Sequence, residues 1–132
     1  MINPRYRIMV VEDDLSFLYS ISFTLKRQKY LVGMSSNGTD GLRHLLEAQR
    51  EGMPFHLLVT DIAVPGLAGL DLIDRLNELN IRIPIIVIMA NSDRSLIAQL
   101  EKRGIRELLP KPFTSDGLMK RISSVLDLKN NT

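Results

Sequence analysis

The segment PIIVIMA, residues 84–90, is an uninterrupted apolar run entered by a proline and followed by the polar Asn91-Ser92-Asp93. It has the length of a strand buried on both faces and falls far short of a membrane span. Downstream of it, Leu96, Ile97 and Leu100 keep helical spacing up to Gly104, and 106–109 reads as a short last strand. Lys111-Pro112 breaks the chain there, and Leu118, Ile122, Val125 and Leu126 line a closing helix. The polar tail 127–132 is expected to fray. Upstream, Leu70, Ile73, Leu76 and Leu79 form a helical stripe behind a loop with Pro65, Gly66 and Gly69, and 55–60 is an apolar strand ending at Asp61. Before it, Asn37-Gly38 marks a turn, and Thr39 can cap a helix carrying Leu42, Leu45 and Leu46 that stops near Gly52 and Pro54. A weaker strand spans 31–35. Leu15, Leu18, Ile21, Ser22 and Leu25 make a helical stripe that Asp14 or Ser16 could cap, and 7–11 is a short apolar strand running into acids.

Five strands alternating with five helices predict an α/β protein: a doubly wound parallel sheet covered on both faces. With no repeat, low-complexity stretch or linker, residues 1–132 are expected to form one domain with its core at about 7–126. Ligands of such sheets bind beyond the carboxyl ends of the strands, near the point where strand order reverses.

Composition narrows the function classes. A 45% hydrophobic and 24% charged chain is ordinary for a globular protein. The absence of cysteine removes disulfides and thiolate metal sites, and together with the lack of an apolar leader it suggests a cytoplasmic location and no membrane association. A net charge of +2, with basic residues scattered and no interleaved aromatics, gives no reason to expect direct nucleic-acid binding.

The chemistry gathers at the strand ends: Glu12 and Asp13 after the first strand, Asp61 at the third, Lys111 after the fifth. Each has an ordinary structural explanation when taken singly, since acids suit turns, helix caps and helix dipoles and Lys-Pro ends strands. In a doubly wound sheet, however, these ends share one rim. Crowded carboxylates repel, and a hard divalent cation resolves that conflict with few carboxylates and several waters. A carboxylate can attack phosphorus, while a metal and a lysine offset charge on the transferring oxygens. The constellation therefore suits phosphoryl transfer onto Asp61.

At these residues the sequence resembles the receiver domain of bacterial two-component response regulators, over about Arg7 to Leu126. MVVEDD resembles the family's first strand and acidic pair, and LLVTDIAVPGLAGLDL its phosphoacceptor segment. PIIVIMANSD and ELLPKPF resemble the fourth strand and the Lys-Pro-Phe ending. The resemblance implies a flavodoxin-like sheet of strand order 2-1-3-4-5. It implies Asp61 as the phosphorylated residue and Mg²⁺ as cofactor, held by Asp13, Glu12 (directly or through water), Asp61 and the backbone carbonyl of Ala63. Lys111 would contact the phosphoryl group, and the bond before Pro112 is a candidate cis peptide. The implied partners are a sensor histidine kinase or histidine phosphotransfer protein and an unidentified downstream protein or output domain. The chain would be no enzyme beyond self-catalysed phosphotransfer.

Two positions depart from the family's pattern. Its Thr or Ser at the end of strand four falls on Met89, which has no hydroxyl to donate. Its switch aromatic falls on Leu108. Thr60 should point away from Asp61, leaving Asn91 or Ser92 as loop substitutes. An atypical readout is therefore expected, and the alternative is a receiver-like interaction module that acts without phosphorylation. A haloacid-dehalogenase-type hydrolase would need a second Asp where Ala63 stands, and Glu12-Asp13-Asp14 carries the wrong charge for a flavin phosphate.

Overall fold

A computed structural model of the chain describes residues 6–63, 69–90 and 94–130. Strands and helices alternate: β1 (Arg7–Val11), α1 (Leu15–Arg27), β2 (Leu31–Ser35), α2 (Gly38–Arg50), β3 (Leu57–Asp61), α3 (Gly69–Glu78), β4 (Ile85–Ala90), α4 (Arg94–Lys102), β5 (Glu107–Lys111) and α5 (Ser115–Asn130). All strand pairs are parallel, and the sheet order is β2-β1-β3-β4-β5, as the sequence led us to expect.

Side-chain alternation divides the core in two. Ile8, Val10, Leu57, Val59, Ile86, Ile88 and Leu109 face α1 and α5, where they meet Leu18, Ile21, Leu25, Leu118 and Ile122. Met9, Val11 and Leu58 face the other way, onto Leu42 and Leu45 of α2 and Leu72 and Leu76 of α3. Val87 and Met89 continue that second face towards Ile73 and Leu100. Each such side chain contributes about 1.5–3 kcal/mol by leaving water. No helix among the described residues is long and apolar enough to cross a membrane.

Several local expectations are corrected. Asn37, not Thr39, caps α2, its side chain accepting from the Asp40 amide at 2.8 Å. Of the two caps left open for α1, Asp14 is the one used, with Oδ1 accepting from the Phe17 amide at 3.2 Å. Leu79 is exposed, one residue beyond the end of α3. β5 runs through Pro110 to Lys111, a proline that an edge strand tolerates because one side of it has no partner. The helix α5 continues past Leu126 to Asn130, where the sequence suggested a frayed tail.

Gly69 opens α3 with φ +39, and a Cβ added there would lie 2.5 Å from the Ile62 carbonyl oxygen. That oxygen is backbone and cannot swing aside, so α3 begins this close to Ile62 only with glycine. Gly69→Ala should lower the unfolding free energy by about 1–3 kcal/mol in urea titration, from strain at a left-handed φ and the clash. An alanine chain as stable as the parent would contradict this reading.

Candidate functional site

The alternation that builds the core also aims the site. Glu12 continues the parity of Ile8 and Val10, Asp61 that of Leu57 and Val59, and Lys111 that of Leu109. All three side chains therefore rise from the α1/α5 face of the sheet at its carboxyl end. Glu12 and Asp61 are buried, at 1% and 4% exposure. Lys111 Nζ donates to Asp61 Oδ2 at 2.6 Å, and the Ala63 amide donates to Asp61 Oδ1 at 2.9 Å. Glu12 Oε2 accepts from the Asp14 amide at 3.0 Å, while Glu12 Oε1 is buried with no hydrogen-bond partner.

Burial is the main cause that pushes the Glu12 carboxyl up from 4.5 to about 7, and the charge of the neighbouring Asp61 adds to the rise. The Asp14 amide and the Lys111 ammonium pull the other way. Protonated, Glu12 has a donor to offer Asp61; ionised, its Oε1 has none to accept from. The Lys111 ammonium is raised above its ordinary value, chiefly by its hydrogen bond to Asp61.

The structure thus brings Glu12, Asp61 and Lys111 into one cluster and leaves Asp13 exposed, its charge reaching Lys111. No three acidic or histidine side chains among the described residues form a ready metal cage. An orphaned buried carboxylate oxygen beside a second buried carboxylate nevertheless fits a hard cation that keeps most of its waters. The Lys111–Pro112 peptide bond is cis. Pro65 and Gly66, like Asn91 and Ser92, lie outside the described residues. Thr60 is buried on the opposite face from Asp61.

Met89 is 2% exposed and packs among Val87, Ile73 and Leu100, and Leu108 rests against the same cluster. Both positions are apolar filling between β4, β5 and α4. Two features escaped the sequence reading. Phe17 sits beneath Lys111, its ring centroid 5.5 Å from Nζ, and stacks at a tilt on Phe113. Leu15, Tyr19 and Phe23 form a second, exposed stripe on α1, legible in their four-residue spacing. A concavity of about 620 Å³ at the opposite end of the sheet, lined by Ile81, Pro84, Gly104 and Ile105, gathers no comparable chemistry.

This fold is that of a doubly wound α/β domain with charged groups gathered at the carboxyl ends of its strands. A family model for the response regulator receiver domain matches residues 8–123, and the chain belongs to that family, whose general function is phosphoryl acceptance in two-component signalling. It is 29% identical over 127 residues to the C4-dicarboxylate transport transcriptional regulatory protein DctD of Pseudomonas aeruginosa, covering 96% of this chain and 26% of that protein. It is 31% identical over 116 residues to the transcriptional regulatory protein DltR of Streptococcus agalactiae, covering 88% and 50%. A CheY-like receiver domain protein from Methanospirillum hungatei superposes with a TM-score of 0.85 at 23% identity, covering 97% of this chain and 98% of that one. The chain thus spans half or less of the length of the two regulators.

Because protonated Glu12 is favoured in the folded state, its contribution to stability is complete below pH 4.5 and is lost as pH rises through about 7. In chelator, the unfolding free energy should fall between pH 5 and 8 by up to about 3 kcal/mol, and Glu12→Gln should flatten the profile. Urea titrations at both pH values measure this; a fall of equal size in the glutamine variant would assign it to another group.

Proposed function

We propose that this chain is a Mg²⁺-dependent phosphoacceptor in which Asp61 is the acceptor, with a sensor histidine kinase or histidine phosphotransfer protein as donor. The observation that supports this best is the buried Asp61 carboxylate, bonded to Lys111 at 2.6 Å with the orphaned Glu12 oxygen beside it. An Asp61 oxygen forms the new O–P bond as the bond from phosphorus to the donor breaks, the donor keeping the electron pair. Lys111 lies ready to follow the charge from the Asp61 carboxylate onto the phosphoryl oxygens. Glu12, Asp13, Asp61 and the Ala63 carbonyl are the groups that would hold the ion, which supplies positive charge to the crowded oxygens. The chain acts as a signalling module, not as a turnover enzyme.

Incubation with Mg²⁺ and acetyl phosphate should add one phosphoryl group by intact-mass spectrometry. The gain should vanish with chelator or in Asp61→Asn, and slow by at least about tenfold in Lys111→Ala. A folded chain that gains nothing would contradict the proposal.

The readout we propose is atypical. A hydrogen bond to a charged phosphoryl oxygen is worth about 1.5–3 kcal/mol, and Met89 cannot make it. Moving a two-state equilibrium from 1:99 to 99:1 takes about 5.5 kcal/mol, so that loss removes a large share of the bias. Apolar Met89 and Leu108, packed together under α4, also favour a second reading, an interaction module that works without phosphorylation. With Mg²⁺ and beryllofluoride as the phosphoryl stand-in, NMR shift changes should concentrate around Asp61 and stay small over 94–103 and at Leu108. Large changes there would sink the weak-switch reading.

A further inference from the structure

We propose that Phe17 is a positioning residue for Lys111: its ring face is the shelf that keeps the ammonium over the acceptor while phosphate arrives. The inference rests on Asp61 being the acceptor, as proposed above. Lys111 is 44% exposed at its side chain, and among the described residues two direct contacts hold its Nζ, the bond to Asp61 Oδ2 at 2.6 Å and the Phe17 ring at 5.5 Å, with the charges of Glu12 and Asp13 acting from further off. The first depends on a charge that the reaction consumes. When an Asp61 oxygen forms its bond to phosphorus and the donor leaves with the electron pair of the broken bond, the carboxylate becomes an uncharged acyl group. The ammonium must then follow the negative charge onto the phosphoryl oxygens. The second contact is unchanged by that step.

A ring face suits this task physically. It attracts a cation without directional hydrogen bonds, so Nζ can turn from carboxylate to phosphoryl oxygen while it stays on the ring. An acid or amide in the same place would compete for the ammonium's protons. The shelf is itself anchored. The Phe17 amide donates to the Asp14 cap at 3.2 Å, and the ring stacks on Phe113 with centroids 5.5 Å apart and planes at 53°. It packs, partly buried, against the α1/α5 core. Phe17, Lys111, Pro112 and Phe113 also wall a groove of about 550 Å³, so one side of the lysine borders open space.

The test is the rate of acetyl phosphate labelling in Mg²⁺, followed by intact mass, in the whole 132-residue chain. Phe17→Leu keeps an apolar group and removes the π face, and should slow labelling about two- to fivefold, the span of an exposed cation–π contact. Phe17→Tyr should label at the parental rate. In a Lys111→Ala background, Phe17→Leu should cause no further loss, because the shelf then has nothing to hold. The Mg²⁺ concentration giving half-maximal rate should not move. Phe17→Met, also without a ring, takes the leucine variant's place if that chain fails to fold. Equal rates for parent and leucine variant, or an equal slowing without Lys111, would overturn the inference while leaving Asp61 as acceptor. A parent chain that does not label would overturn both.

Discussion

Glu12 and Asp61 are two buried carboxyls whose charges act on each other, and among the described residues one ammonium, that of Lys111, is bonded to the pair, through Asp61. Two like charges removed from water cannot both be ionised without compensation, and one lysine neutralises only one of them. The Glu12 carboxyl responds by holding its proton towards neutral pH. A site in this condition has an unmet demand for positive charge, and it meets solvent where the chain's strands end. Both a divalent ion and a phosphoryl group that arrives with one satisfy that demand. The rest of the structure serves to maintain the conflict: β1 and β3 run side by side so that their ends cannot separate, and β5 delivers the lysine from the edge.

The two faces of the sheet carry different duties. The α1/α5 face carries Glu12, Asp61, Lys111 and the Phe17–Phe113 stack, all continuing one apolar layer upward. The other face, beneath α3 and α4, closes on Met89 and Leu108 with no polar atom directed at the acceptor from either side chain. The charged rim and the Met89–Leu108 packing therefore lie on opposite faces of the sheet.

Much of this was legible in the sequence because it rests on period-two and 3.6-residue patterns. The run at 85–90 and the acid-terminated run at 7–11 have the length and bounds of buried strands, and their alternation with helical stripes implied a parallel sheet. The cluster of Glu12, Asp61 and Lys111 followed from strand ends sharing a rim. What pattern could not supply was side-chain direction beyond the strands. Asp13 follows Glu12 directly yet is exposed, because neighbouring residues point apart. The caps at Asp14 and Asn37 were misjudged or left open because several candidates within two residues compete for the same amides. The Phe17 shelf depends on α1 packing against the β5 end, a tertiary contact with no local signature.

The most direct measurement is chemical trapping of the acceptor. After exposure to Mg²⁺ and acetyl phosphate, borohydride reduces an acyl phosphate at its carbonyl carbon and expels phosphate, leaving an alcohol that peptide mass mapping locates. Reduction confined to Asp61, and absent when Mg²⁺ is chelated, is the expected result. A folded chain with no reduced residue, or with reduction at Asp13 or Asp14 instead, would contradict the assignment of Asp61 as the phosphoryl acceptor.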